Sequence, residues 1–181
     1  TKRINMKLSV IIVNYNVTQL LRSCLLSLQK YIQEIKYEVI VIDNASTDNS
    51  VEFITQNFPT VKIVKNSSNH GFAKGYNDAL QNIDAEIYAL VNSDIEVTEN
   101  WLKPIIETFD NEKQTAIIQP KILDFKNKEY FEYAGGAGGF IDKYGYPYCR
   151  GRIFHSIEKD PRACPRVFFL FRKNWLLITL Q

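Results

Sequence analysis

The sequence predicts an α/β fold, a mostly parallel sheet flanked by helices, and three observations carry that expectation. Within residues 1–120, short β-branched runs alternate with stretches whose apolar residues recur at helical spacing. A cluster of Asn, Asp and Ser follows each of the first four runs. No internal sequence repeat is visible, so a solenoid or propeller is not indicated.

The elements follow in order. Residues 7–13 (KLSVIIV) form a β-branched run suited to a strand covered on both faces. Leu21, Cys24, Leu25, Leu28 and Ile32 then mark one face of a helix. Residues 38–42 (EVIVI) read as a second strand, after which Ser46 or Thr47 is placed to cap a helix with Val51, Ile54 and Phe58 inward. Residues 61–64 read as a third strand, and Tyr76, Leu80 and Ile83 as a third helical face. A strand over 86–91 follows, then a helix beginning at Thr98 or Asn100 and carrying Trp101, Leu102, Ile105 and Phe109, then a strand over 115–118. Beyond Pro120 the sequence turns Gly- and Tyr-rich (EYFEYAGGAGGFIDKYGYPYCRGR), which predicts a long ordered loop or a hairpin excursion whose aromatics pack.

Composition narrows the function classes. At 181 residues, with 45% hydrophobic and 23% charged residues, the chain fits one globular domain over 1–181 and excludes wholesale disorder. The longest apolar runs, 10–13 and 167–171, fall far short of the ~18 residues a membrane span needs. The polar residues 1–6 lead into no apolar segment with a small-residue cleavage site, so no signal peptide is expected. Cys24, Cys149 and Cys164 form no CxxC pair, an odd and sparse set that fits reduced thiols in the cytosol. Residues 1–120 hold 11 basic and 14 acidic groups (−3), and residues 121–181 hold 11 and 6 (+5). That basic surplus is either a solvated face or a surface for an anionic ligand or membrane headgroups. Zinc-finger spacing and RNP-type motifs are lacking, which speaks against nucleic acid as a partner.

In open parallel sheets, ligands bind beyond the carboxyl ends of the strands. Asn14-Tyr15-Asn16, Asp43-Asn44-Ala45-Ser46, residues 66–71 and Asn92-Ser93-Asp94 stand at four successive strand ends. Each alone is compatible with turn chemistry, and together they converge if the sheet forms. The first strand leads into VNYN, not GxGxxG, and GxxxxGK[ST], HExxH and GxSxG are absent, so the simple dinucleotide, P-loop, zincin and hydrolase readings fail. Gly135, Gly136, Gly138 and Gly139 lack a strand-to-helix context and read as flexible or closely packed backbone.

Taken together, SVIIVNYN, VIVIDNASTDNS, NHGFAKGYN and LVNSDIEV resemble, in order and spacing over residues 7 to about 120, the nucleotide-sugar-binding half of a family 2 glycosyltransferase with the Rossmann-like GT-A fold. Residues 128–154 resemble the continuation in bacterial members related to rhamnosyltransferases, which makes 121–181 a partial acceptor-side half. The resemblance implies a UDP- or dTDP-sugar donor, with Asp43 accepting the imide N–H of the base, Tyr15 packing the base, Asn16 shaping that wall, and Asn14 among the donor-binding residues. Asn69, Gly71, Phe72, Gly75 and Asn77 would lie beneath the ribose and diphosphate, with Gly71 and Gly75 permitting close backbone approach. Lys74 adds charge there or stays solvated. Asn92, Ser93 and Asp94 (NSD) stand where many members have DxD, so Asp94 would coordinate Mg²⁺ or Mn²⁺ bridging the diphosphate, while Asn92 would contact ribose or sugar. The implied reaction is inverting transfer to an acceptor hydroxyl on a saccharide or lipid-linked saccharide, in cell-surface polysaccharide synthesis. It would take place in the cytoplasm or at the inner face of the membrane.

The family's acidic general-base motif is not found. Asp142, Glu158 and Asp160 are the nearest carboxylates, and none occupies a matching position. The expectation is a chain shortened or altered after about residue 160, with a non-catalytic nucleotide-sugar- or partner-binding module as the alternative. His70 and His155 read as structural or exposed.

Overall fold

In the computed structural model of the chain, residues 8–32, 35–130, 139–149, 152–153, 156–157 and 169–172 are described. Strand β1 (Leu8–Asn14) leads through helix α1 (Thr18–Tyr31) to β2 (Tyr37–Asp43), and α2 (Ser50–Asn57) leads to β3 (Lys62–Lys65). Helix α3 (Gly71–Leu80) returns the chain to β4 (Ile87–Asn92), and α4 (Lys103–Asn111) precedes the short β5 (Ile117–Ile118). Two small antiparallel pairs follow, β6 (Gly139–Ile141) with β7 (Pro147–Cys149) and β8 (Arg152–Ile153) with β9 (Ser156–Ile157), before β10 (Phe169–Arg172).

The main sheet has the order β3-β2-β1-β4-β10-β5. Its first four strands are parallel, as the βαβ alternation predicts. Strand β10 is antiparallel to both neighbours, pairing Leu170 with Ala89 of β4 and with Ile118 of β5. The apolar run over 167–171 shows no alternation and lies far from β4 in sequence, so its place inside the sheet is not readable locally.

Period-2 alternation sorts the two cores. Leu8, Val10 and Ile12 of β1 face one layer with Leu21, Leu25 and Leu28 of α1, Ile54 of α2, and Ile106 and Phe109 of α4. Ile11 faces the other layer, where Tyr76 and Leu80 of α3 cover Ile42 and Tyr88. One face therefore carries three helices and the other carries α3. Each such buried side chain contributes roughly 1.5–3 kcal/mol. The outer strand β3 is exposed at Lys62, Val64 and Lys65, and lysines on an edge strand discourage pairing with another chain.

Two helix starts differ from expectation. Helix α2 begins at Ser50 and not after Ser46 or Thr47, because those residues are held by Asn14 and Asn16 across the loop. Helix α4 begins at Lys103 with Pro104 in its first turn, so Trp101 and Leu102 are buried in the loop before it. Asn100 adopts φ 58°, outside the helix. Of the two forms expected for the excursion, residues 139–149 adopt the hairpin. Its turn is tied by Asp142 Oδ1, which accepts from the Tyr144 and Tyr146 N–H groups at 2.8 and 2.9 Å. Gly135, Gly136, Gly138, Cys164 and His155 lie outside the described residues, as do Glu158 and Asp160.

Candidate functional site

Strand order reverses between β1, from which the chain runs outward through β2 and β3, and β4 on its other side. That is the switch point at which a crevice opens beyond the carboxyl ends. Register places Asn14 beside Asp43, Asp43 beside Lys65, and Asn92 beside Val13. With neighbouring strands about 4.8 Å apart, three of the sequence-predicted clusters meet here.

Asp43 is 3% exposed, and its carboxylate is already anchored. Oδ1 accepts from Asn14 Nδ2 at 3.0 Å and Oδ2 accepts from the Ser46 N–H at 3.0 Å. Each oxygen retains a further lone pair. Asn14 is fully buried, and its Nδ2 also reaches Ser46 Oγ at 3.1 Å. Asn14 thus anchors the Asp43 carboxylate from within the sheet. Its Oδ1 has no hydrogen-bond partner among the described residues. Beside these buried groups, the Tyr15 ring is 45% exposed at the mouth.

The β1–α1 and β2–α2 loops are stitched together. Asn16 donates its N–H to Ser46 Oγ at 3.1 Å, and its Oδ1 accepts from the N–H groups of Thr47 at 2.7 Å and Asp48 at 3.3 Å. Asn16 and Ala45 both hold left-handed backbone, φ 56° and φ 60°. For Ala45 that conformation costs roughly 1–2 kcal/mol, which the surrounding bonds must offset. Burial pushes the Asp48 carboxyl up, but hydrogen bonds from Ser50 and Thr18 outweigh it and hold the group below its ordinary value.

Asn44, directly after β2, is a further member of this cluster, with no role assigned by its sequence context. It is 1% exposed. Its N–H donates to Asn14 O at 2.9 Å, its Nδ2 to Gly71 O at 3.0 Å, and its Oδ1 accepts from Asn66 Nδ2 at 2.7 Å. One residue, by its backbone N–H and its side-chain amide, thus ties β1, the end of β3 and the start of α3. The signal for it is a polar residue directly after a buried strand, but its partners are invisible without the topology.

The start of α3 borders the same crevice. Gly71 has φ +71° with nothing within 4 Å of where a Cβ would sit, and its N–H donates to Asn69 Oδ1 at 2.9 Å. Asn69 therefore closes the turn into the helix. Gly75 differs: a Cβ there would meet Asn44 at 3.4 Å and Val13 at 3.6 Å, ordinary contact distances. Its protein neighbours therefore leave room for a methyl, while the close approach that the resemblance implies for Gly75 is to the ribose and diphosphate. Gly75→Ala is accordingly expected to raise stability by about 0.5–1 kcal/mol and Gly71→Ala to lower it by about 1 kcal/mol, both read by urea unfolding.

Phe72 is 54% exposed and meets Tyr76 edge-on, with ring centroids 4.8 Å apart. Tyr76 donates its hydroxyl to Val91 O at 3.0 Å, and burial pushes its phenol well up. Asn77 lies exposed further along α3. Lys74 Nζ pairs with Asp78 Oδ2 at 2.6 Å, and His70 Nδ1 lies 3.2 Å from the same oxygen. The Lys74 hydrogen bond, joined by its charge and by His70, holds the Asp78 carboxyl below its ordinary value. Of the two roles open to Lys74, the geometry shows a side chain engaged on the helix surface.

Asn92 and Ser93 are half-buried, and a turn closed by the Ile95 N–H on Asn92 O at 3.2 Å presents Asp94 to solvent. Among the described residues Asp94 accepts no hydrogen bond, and no group of three or more His, Cys, Asp or Glu side chains is placed to hold a cation. A lone, exposed carboxylate fits a hard cation whose other ligands come from phosphate and water. Cys24 is buried behind it, and burial first, then Asp94 and Glu96, push its thiol up to about 12, so it stays a neutral core residue. No helix among the described residues is long and apolar enough to cross a membrane.

A model of the family "Glycosyl transferase family 2" matches residues 9–177. An uncharacterized glycosyltransferase of Bacillus subtilis, YfnE, is 32% identical over 115 residues, covering 62% of this chain and 29% of that protein. The crystal structure of S. aureus TarS 1–349 in complex with UDP-GlcNAc superposes with a TM-score of 0.57 at 28% identity, covering 65% of this chain and 34% of the other. The mannosyltransferase PcManGT of Pyrobaculum calidifontis, in complex with GDP-Man and Mn²⁺, shares the fold, with a TM-score of 0.56 at 21% identity over 64% of this chain and 35% of that one. The chain thus spans about a third of the length of these relatives.

Proposed function

The chain belongs to glycosyl transferase family 2, and on that premise we propose that it takes a sugar from a UDP- or dTDP-linked donor and transfers it, with inversion, to an acceptor hydroxyl in cell-surface polysaccharide synthesis. The observation that carries the donor reading is the convergence of Tyr15, Asp43 and Asp94 at the carboxyl ends of three adjacent strands. The similarity to TarS, which was crystallised with UDP-GlcNAc, supports a uridine donor.

In this reading the free lone pairs of Asp43 accept the imide N–H of the base and disfavour bases lacking that donor. Asn14 and the Ser46 N–H hold the carboxylate in place for that bond. Tyr15 packs the base, and the amide end of α3 faces the diphosphate, where unpaired N–H groups and the helix dipole favour anions. Asp94 would hold Mg²⁺ or Mn²⁺, which when bound neutralises the leaving diphosphate. Asp142 braces its hairpin turn through two backbone N–H groups and is not assigned as the acceptor's general base.

The test is calorimetric titration of the 181-residue chain with UDP, dTDP and CDP, whose cytosine lacks the ring N–H, each with Mn²⁺ and with EDTA. Binding of UDP or dTDP but not CDP, strengthened by Mn²⁺, is the expected result. Equal binding of all three, or none, would sink the donor reading.

A further inference from the structure

We propose that Asp48 is a positioning residue of the donor site, a single carboxylate that clamps the loop bearing Tyr15 to the loop bearing Asp43. This inference rests on the donor reading above.

Helices α1 and α2 start side by side, and both starts converge on Asp48. Its Oδ2 accepts from the Thr18 N–H at 3.3 Å and from Thr18 Oγ1 at 2.7 Å. Its Oδ1 accepts from the Ser50 N–H at 3.0 Å and from the Ser50 hydroxyl. The Thr18 and Ser50 hydroxyl oxygens are themselves 2.9 Å apart. One carboxylate thus satisfies orphan donors at two helix N-termini, 30 residues apart in sequence at the Thr18 contact and two at the Ser50 contact.

Helix capping alone does not explain where those bonds lead. Between Asn14 and Thr18 the chain carries Tyr15 and the left-handed Asn16; between Asp43 and Asp48 it carries the left-handed Ala45. The Asp48 N–H also donates to Asn16 Oδ1, so Asp48 grips the opposite loop by its backbone and by its side chain. Tyr15 therefore sits in a segment bolted on one side by Asn14 to Asp43 and on the other by Asn16 and Thr18 to residues 46–48. Two backbone conformations of low intrinsic population persist where the surrounding bonds over-determine them. Release of the carboxylate would let both loops relax, and the spacing between the Tyr15 ring and the Asp43 carboxylate would no longer be set in advance. A preorganised site loses affinity when its binding-competent state becomes only fractionally populated.

The experiment measures UDP affinity of the full chain by calorimetry, at a temperature where every variant is folded by circular dichroism. Asp48→Ala is expected to weaken UDP binding by about tenfold or more, the size of effect a shift to a one-in-ten competent population produces. Asp48→Asn, which keeps one acceptor, should restore part of that loss. Phe109→Leu, in the α4 core away from these loops, serves as a control that lowers the melting temperature without touching the clamp and should bind UDP as the parent does. Parent-like affinity in Asp48→Ala overturns the inference, as does an equal loss in Phe109→Leu. Failure of the parent chain itself to bind UDP removes the donor reading, and this inference falls with it.

Discussion

Asp43→Ala is expected to reduce UDP affinity by roughly 100-fold or more, and to lower folding stability at the same time. Both effects come from one buried carboxylate. A buried donor that loses its acceptor costs about 1–3 kcal/mol. Here the Ser46 N–H loses its carboxylate acceptor, while Asn14 Nδ2 keeps Ser46 Oγ. In a chain of this size each kcal/mol lowers the melting temperature by about 2–4 °C. Asp43→Asn separates the two effects, because an amide oxygen can still accept one of the internal bonds while the imide contact is lost. Calorimetry and thermal unfolding of both variants decide the matter. If Asp43→Ala binds UDP within threefold of the parent, the base does not contact this carboxylate.

Asp94→Ala should show the opposite pattern. The side chain is exposed and accepts no hydrogen bond from the described residues, so unfolding should shift by no more than about 0.5 kcal/mol. Metal-dependent function should nonetheless collapse. Loss of a group stabilising the leaving diphosphate is worth roughly 100- to 1,000-fold in turnover. The assay is release of UDP from a UDP-sugar, by hydrolysis or transfer, with and without Mn²⁺. Retention of a Mn²⁺-stimulated rate in Asp94→Ala would remove the metal role from this residue. Asp43 and Asp94 are thus expected to part company: one couples folding to binding, and the other acts through the metal with little effect on folding.

The layout of the parallel strands is legible because β1, β2 and β4 are short, largely apolar runs buried on both faces, and burial on both faces leaves a continuous apolar signature. The convergence of Tyr15, Asp43 and Asp94 followed once that layout was granted. What stayed hidden depends on contacts distant in sequence. Ser46 looked like a helix cap, and only adjacency of the loops reveals that Asn14 and Asn16 hold it. Asp48 carries no local sign that it serves two helices. Asn44 reads as a turn residue until Gly71 and Asn66 are placed around it. The room that Asn44 and Val13 leave beside Gly75 is likewise visible only once those residues are placed around it.

Strand β10 has a consequence for how the chain reaches its native state. Strand β4 ends at residue 92, and the strand that covers its outer edge begins at residue 169. At synthesis rates of about 5–20 residues per second, that interval lasts on the order of 4–15 s. During it the outer edge of β4, along Ile87 to Leu90, lacks the partner it later finds in Arg172 to Phe169. An apolar strand edge waiting that long can pair with the wrong chain. Residues 169–172 therefore act as a late-arriving seal on a nascent sheet, and their timing bears on yield as much as their contacts bear on stability.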